Sequence, residues 1–241
     1  MKNNLKIIEE TGKRYNDIIF GDDYISKDVY KFQINLRNEI INKCISNKRF
    51  KNTLDLGCGT GFHLETLSKF SEKLIAVDMS FGALKESKKN IECDYIVCDI
   101  NKLPFKDNTI DFIWIAGVLH HVPNDLKSLI SNIRSILQNG SVILIDEPNK
   151  LNLFNYINMK LSKADPTGKE RPLSLNRVER FLQSNNFTIL KSDLYELFSP
   201  IGIICSNNFI LNFCMLLDKY LHRTFLKKIS LRWYILAIYE S

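Results

Sequence analysis

The 241-residue chain is predicted to be an α/β protein: a seven-stranded, mostly parallel sheet with helices on both faces. A helical cover at the N-terminus and a helical insert between the sixth and seventh strands complete the prediction. Three observations carry it. Short apolar runs alternate with amphipathic ones through the middle of the chain, as in successive βαβ units. The apolar runs are continuous rather than alternating, as expected of strands buried on both faces. The first of them breaks into glycine, "LDLGCGTG" (54–61), using three of only ten glycines in the chain.

The N-terminal section, 1–50, reads as a helical cap. "MKNNLKIIEE" has no apolar stretch of signal-peptide length, so export is not expected. "YNDIIFGDDY" reads as a loop or short helix. "SKDVYKFQINLRNEIINKCI" places Val29, Phe32, Leu36, Ile40 and Cys44 on one helical face, with Ser26 as a cap. Packing against a sheet edge and covering an active site both fit this section.

Residues 51–150 carry the strand candidates "TLDLG" (53–57), "KLIAVD" (73–78), "YIVCD" (95–99), "IDFIWIAG" (110–117) and "SVILID" (141–146). Between them, "FHLETLSKF" reads as a helix, and "SFGALKESKKN" as one capped by Ser80. "NDLKSLISNIRSILQNG" starts at Asn124 and is expected to stop at Asn139–Gly140.

The C-terminal part, 151–241, begins with a helix and a long acceptor-side loop, "EPNKLNLFNYINMKLSKADPTGKERPLS". A helix, "SLNRVERFLQSNN", and two strands, "FTILKSDLYEL" and "SLRWYILAIYES", follow. The insert, about 198–228, separates those strands. Residues 197–217 hold no formal charge, a length that could just span a bilayer. Pro200, Gly202, Asn207, Asn208 and Asn212 argue against a span. Amphipathic helices capping a site, or lying on a membrane surface, fit better.

Composition narrows the classes. The chain is 45% hydrophobic, enough for a sizeable core. Its net charge of +6 weakly favours an anionic partner. Six cysteines without a CxxC pair suit a reducing cytoplasm, and no zinc spacing appears, so no metal is expected.

The glycines then suggest a site. A strand that ends in Gly57, Gly59 and Gly61 and runs into a helix offers backbone N–H groups at the carboxyl end of the sheet, where open α/β sheets bind ligands. No Lys-Ser/Thr follows, so a nucleoside-triphosphate loop is disfavoured. Asp78 ends the second strand about 20 residues past the glycines, where a carboxylate can accept both hydroxyls of a ribose. A helix-cap role for it is less needed, because Ser80 is available. Asp99 ends the third strand and suits either an adenine amino group or a simple turn.

Together, "LDLGCGTG", "AVDMS", "CDINKLPFKDNTIDFIW" and "GVLHHVPN" resemble the class I S-adenosylmethionine-dependent methyltransferases. The nearest branch includes the ubiquinone/menaquinone C-methyltransferases and many small-molecule enzymes. The resemblance covers about residues 50–150 in order and spacing, and only the general layout outside them. It implies a Rossmann-like single methyltransferase domain over 1–241, whose antiparallel seventh strand "RWYILAIYES" resembles. It implies S-adenosyl-L-methionine as cofactor and S-adenosyl-L-homocysteine as product. Asp55, Gly57, Gly59 and Gly61 would then form the loop under the methionine moiety. Asp78 would bind the ribose with Met79 against the adenine, and Asp99 and Ile100 would bind the adenine edge. The family often has Glu at the ribose position; Asp is a shorter variant. Ala116 and Gly117 would lie near the methyl-bearing sulfur.

Methyl transfer is an in-line displacement in which alignment does most of the work. His120 and His121 follow the fourth strand, where sulfur and acceptor should meet, and either is a candidate general base or a loop anchor. His63 reads as a helix-start residue. Glu147 and Asn149 suit either a grip on the acceptor or a strand-to-loop turn. The acceptor is expected to be a small molecule or a lipid-linked compound. The insert runs into "KYLHRTFLKKISLRWY", where Lys219, Arg223, Lys227, Lys228 and Arg232 suit membrane-surface contact through 198–232. Core or dimer packing with a solvated basic face suits them as well. Nucleic acid is not the expected partner: basic residues are spread out, and an "NPPY"-type motif is absent. Other readings are an RNA or protein methyltransferase, a non-catalytic S-adenosylmethionine-binding partner subunit, and a peripheral membrane protein using the core as a scaffold. The expected location is the cytoplasm, including the membrane surface.

Overall fold

Each apolar run of the sequence becomes a strand because it can bury side chains on two faces at once. The computed structural model describes residues 27–161, 170–197, 208–221 and 224–241. Its elements are α1 (Lys27–Ile45), β1 (Phe50–Leu56), α2 (Leu64–Ser68), β2 (Ser71–Asp78), α3 (Phe81–Ser87), β3 (Asp94–Val97), β4 (Ile110–Ala116), α4 (Leu126–Ile136), β5 (Leu137–Pro148), α5 (Leu153–Leu161), α6 (Leu175–Gln183), β6 (Phe187–Tyr195), α7 (Asn208–Leu221) and β7 (Arg232–Tyr239). Short 3-10 turns form at Leu119–His121 and Phe225–Ile229.

The seven strands lie in the order β3-β2-β1-β4-β5-β7-β6. β1 to β5 run parallel, and β7 is antiparallel to both its neighbours. The chain therefore starts at the centre of the sheet, winds outward to β3, and returns to place β4 on the other side of β1. That reversal makes a crevice between the carboxyl ends of β1 and β4, the usual ligand site of such sheets.

The pleat divides the core. In β4, Phe112 and Trp114 face a layer built from Ile41 of α1, Leu64 of α2 and Leu84 of α3. Ile113 and Ile115 face the opposite layer, with Ile130 of α4 and Val178 of α6. A strand covered by both layers has no polar face, which is why the sequence shows no alternation.

Two local expectations at α4 are corrected. The helix starts at Leu126, and Asp125 rather than Asn124 stands at its N-cap, with no side-chain cap bond. It stops at Ile136, not at Asn139–Gly140. Leu137 is fully buried and pairs with Ile110, so β5 begins at once, and the register is regained at Phe112↔Val142. Gly140 takes φ 83° within the irregular stretch. Burial of Leu137 in the sheet outweighs the local Asn-Gly stop signal. Ser80, by contrast, caps α3 as expected, accepting from the Ala83 amide at 3.2 Å.

α1 packs into one core layer through Ile40, Ile41 and Ile45, and its polar side chains reach the strand ends. Gln33 Nε2 donates to Glu196 Oε1 at 2.7 Å, and Arg37 Nε donates to Asp146 Oδ1 at 3.2 Å. Asp146, wholly buried at the end of β5, also accepts from Arg232 Nε at 2.7 Å and from the Tyr195 hydroxyl. Burial alone would raise its pKa; Arg232 and Arg37 instead hold the carboxyl below the usual range. One carboxylate thus fastens α1, β5, β6 and β7. The expected cap at Ser26 and the segment "YNDIIFGDDY" fall outside the described residues.

Three asparagines clamp the chain entering β7. Asn149 Nδ2 donates to the carbonyls of Lys228 and Ser230 at 3.0 and 2.8 Å. Asn152 Nδ2 donates to that of Ile229 at 2.7 Å, and Asn155 Nδ2 to that of Leu231 at 2.6 Å. Of the insert, α7 and the 3-10 turn Phe225–Ile229 are described; 198–207 and 222–223 are outside the described residues. No helix among the described residues is long and apolar enough to cross a membrane.

Removing one cation from the Asp146 cluster leaves a buried carboxylate poorly compensated. Arg232→Met is expected to lower stability by about 3–5 kcal/mol. Urea unfolding checks this, and a loss of only a few tenths would show that Arg37 and Tyr195 suffice.

Candidate active site

The glycine turn is shaped by what presses on it. Gly57 and Gly61 adopt φ 79° and 81°, the left-handed region that favours glycine. A Cβ at Gly57 would stand 2.4 Å from a methyl of Val118, and one at Gly61 would stand 2.1 Å from Ser87 Oγ. Gly57 is therefore where the turn leaving β1 touches the turn leaving β4. The loop is tied to β2 by the Gly57 and Cys58 amides, which donate to the Val77 carbonyl at 2.8 and 3.0 Å.

Asp78 completes that tie. Its Oδ2 accepts from the Gly59 amide and its Oδ1 from the Ser80 amide, both at 2.8 Å. Asp78 ends β2, as the sequence suggests, and its carboxylate holds the glycine turn and the start of α3. Burial raises its pKa, opposed by those amide bonds. Asp55, deeper in β1, is different. Its Oδ2 is buried with no hydrogen-bond partner, and so is Thr60 Oγ1. Burial, then repulsion from Asp78, pushes its pKa well up. An unpartnered carboxylate beside a concave run of glycines is a fitting receptor for an ammonium or sulfonium group.

The remaining predicted contacts line the same edge. Met79 is exposed after β2, with Asp99 and Ile100 half-buried after β3. Val97, the last residue of β3, pairs with Asp78. Asp99 Oδ1 accepts from the Asn101 amide at 2.8 Å, which gives it a turn role there. Ala116 ends β4, and the Gly117 amide donates to the Asp146 carbonyl at 2.8 Å.

The 3-10 turn Leu119–His121 brings both histidines to this edge, each with Nδ1 on a carboxylate. His120 Nδ1 and Glu147 Oε2 are 2.8 Å apart; His121 Nδ1 and Glu170 Oε1 are 2.5 Å apart. Glu147 also accepts from the Val118 and Leu119 amides at 2.7 and 2.6 Å. Its carboxylate is thus given over to holding the turn rather than gripping an acceptor. Asn149, as part of the clamp, is likewise structural. The two rings differ in environment. Burial, with the neighbouring His121, lowers the pKa of His120. Burial would also lower that of His121, but the Glu170 hydrogen bond and charge, helped by Glu147 and Asp78, raise it. A carboxylate only accepts, so in the neutral His121 ring Nδ1 carries the proton and Nε2 the lone pair. The side chain of His121 is 32% exposed, so solvent or substrate can reach it. Among the described residues, His120, His121 and Glu170 bring ligand-type atoms within 4.8 Å of one another, but the His121–Glu170 bond ties two of them together.

Glu170 carries no signal in the sequence. It lies far along the chain, in a polar loop, and reaches His121 because the Arg171 amide donates to the His120 carbonyl at 3.2 Å. His63 does stand at the start of α2, yet its side chain makes no cap bond. It is buried edge-on to Trp114, with Nδ1 at 2.8 Å from Asn38 Oδ1.

Comparison with known proteins agrees with this fold. Residues 54–145 match a family model described as a methyltransferase domain. An uncharacterised protein of Methanocaldococcus jannaschii is 32% identical over 212 residues, covering 82% of this chain and 86% of that one. A demethylmenaquinone methyltransferase of Paenarthrobacter aurescens is 26% identical over 139 residues, covering 57% and 55%. The crystal structure of a SAM-dependent methyltransferase from Archaeoglobus fulgidus superposes with a TM-score of 0.63 at 21% identity, over 85% of this chain and 94% of that one.

Two expected outcomes test the site's construction. Gly61→Ala is expected to destabilise the fold by about 1–3 kcal/mol, and adding Ser87→Ala to recover only part, because the positive φ remains. Thermal unfolding measures both; full recovery would make the clash the whole cost. The pKa of His63 is lowered to about 3, by burial first and by Arg37 next. Between pH 6.5 and about 3 the unfolded chain therefore binds the extra proton, so stability falls as pH falls, by at most about 1.4 kcal/mol per pH unit from this group. Unfolding midpoints compared with His63→Phe should show a shallower dependence in the variant; parallel curves would exclude it.

Proposed function

Because the chain belongs to the class I S-adenosylmethionine-dependent methyltransferases, we propose that it methylates a small-molecule or lipid-linked acceptor, with His121 as the base. S-adenosylmethionine is its cofactor and supplies a methyl group already activated on a sulfonium. The observation that carries the proposal is the contact of Val118 with Gly57, which joins the glycine turn and the histidine turn into one surface.

Asp55, Gly57, Gly59 and Gly61 would hold the methionine moiety, the buried Asp55 oxygen gaining the cationic partner it otherwise lacks. Asp78, with Met79, Asp99 and Ile100, would hold the ribose and adenine. Ala116 and Gly117 would border the sulfur. On the acceptor side, Glu170 orients the His121 ring and compensates its charge once a proton arrives on Nε2. His120, held by Glu147 and kept neutral by burial, fixes the backbone of the turn. A base of this kind adds about 10²–10⁴-fold when the acceptor must lose a proton. The relative named for demethylmenaquinone, which is neither nucleic acid nor protein, supports this class of acceptor.

Calorimetric titration should show binding of S-adenosylmethionine and S-adenosylhomocysteine, weakened about tenfold or more in Asp78→Asn. No binding by the folded wild type would end the proposal. With a labelled methyl group offered to lipid extracts, small-molecule pools, RNA and protein, label is expected in one of the first two; label in RNA or protein alone would overturn the acceptor class. Once an acceptor is found, His121→Ala should lower turnover at least tenfold without matching loss of cofactor affinity. Glu170→Gln should move the acid limb of the rate profile to lower pH, because the raised pKa of His121 depends on that carboxylate. An unmoved limb would remove the base assignment.

A further inference from the structure

The outer face of α7 contradicts the rule for a surface helix. Phe209, Phe213, Leu216 and Tyr220 recur at helical spacing, and Phe209 and Tyr220 are 80% and 70% exposed. The same helix also supplies the buried Cys214. Exposed apolar side chains also follow α7 in the chain. Phe225 and Ile229 in the following 3-10 turn are exposed, the former by 80%. So are Leu151, Leu153 and Tyr156 around the start of α5, with Leu153 70% exposed. The asparagine clamp places these last residues beside the 228–231 strap, because Asn149 and Asn152 bond to the carbonyls of Lys228 and Ile229.

Charge says what such a surface meets. Segments 149–161 and 208–231 contain six cations, Lys150, Lys160, Lys219, Arg223, Lys227 and Lys228, against one acid of their own, Asp218; Lys227 also pairs with Asp193 of β6. Asp218 Oδ1 accepts from the Leu197 amide at 3.1 Å. Nearly the whole net charge of +6 therefore falls in these two segments. Lys150, Lys160 and Lys228 are exposed. A contact between two copies would set these cations against each other, whereas an anionic lipid surface takes up both the aromatic side chains and the positive charge.

We propose that α7, the Phe225–Ile229 turn and the start of α5 form a docking face for an anionic lipid bilayer. The helix lies flat in the interface: its 14 residues extend about 21 Å, too short to span the hydrocarbon core. Phe and Tyr enter at headgroup depth, and the lysines remain at the phosphates. The proposal is independent of the methyl-transfer chemistry.

The test uses the full chain with vesicles of phosphatidylcholine alone and of phosphatidylcholine mixed with phosphatidylglycerol, read by co-sedimentation. Binding is expected to the mixed vesicles only, and to weaken with salt. Phe213→Ser with Tyr220→Ser is expected to weaken it at least tenfold, and Lys160→Gln with Lys228→Gln about tenfold. These positions are exposed, so folding is preserved, and calorimetry with S-adenosylmethionine should be unchanged in both variants. Absence of wild-type binding, equal binding to both vesicles, or variants that bind like the wild type would each overturn the proposal. A dimer abolished by Phe213→Ser with Tyr220→Ser, without vesicle binding, would assign the face to a second copy instead.

Discussion

Parallel strands must release their loops at the same edge, and here that edge is held by buried carboxylates. Asp78 at the end of β2 takes the Gly59 and Ser80 amides. Asp146 near the end of β5 takes two guanidiniums and a phenol, and Glu147 beside it takes two amides and a histidine. Backbone amides that leave a sheet lose their ladder partners, and buried ones need acceptors. Acidic residues at the strand ends supply them. The geometry of the site is thus a consequence of how the sheet closes its own edge.

Neighbouring acids consequently have different roles. Asp146 and Glu147 are consecutive, so the pleat turns them to opposite layers: the first secures α1 and β7, the second secures the histidine turn. Asp55 shares the edge, but its buried Oδ2 gains no donor there. Asp78 stands between, buried and structural through two amides. Substituting it therefore loosens both the glycine turn and the start of α3, whereas Glu170 bears on His121.

The two histidines show how a small difference in surroundings separates functions. Both rings face carboxylates through Nδ1, but His120 is buried whereas His121 is partly exposed. His120 meets a carboxylate already shared among three donors and stays neutral. His121 meets Glu170 and gains basicity. A site with one ring titrating upward and its neighbour held neutral can take a proton at one nitrogen without scattering charge through the turn.

Features built from residues adjacent along the chain are legible in its sequence. Gly57, Gly59 and Gly61 declare a turn because few other residues tolerate it; continuous apolar runs declare strands because a doubly covered sheet leaves no polar face. The order of those runs implies a mostly parallel sheet with helices on both sides. Local signals fail where a distant partner outweighs them: Leu137 enters the sheet despite the Asn139–Gly140 stop signal because Ile110 pairs with it. Likewise, nothing near Glu170 marks it, and Glu147 and Asn149 suit a substrate contact by residue type alone, whereas their donors and acceptors come from other parts of the chain. Sequence by itself determined the alternation of elements, the glycine turn and the family, since these rest on residue type and spacing. Tertiary structure alone decided which carboxylate meets which donor and which helix face stays in water, since both depend on contacts between residues far apart along the chain.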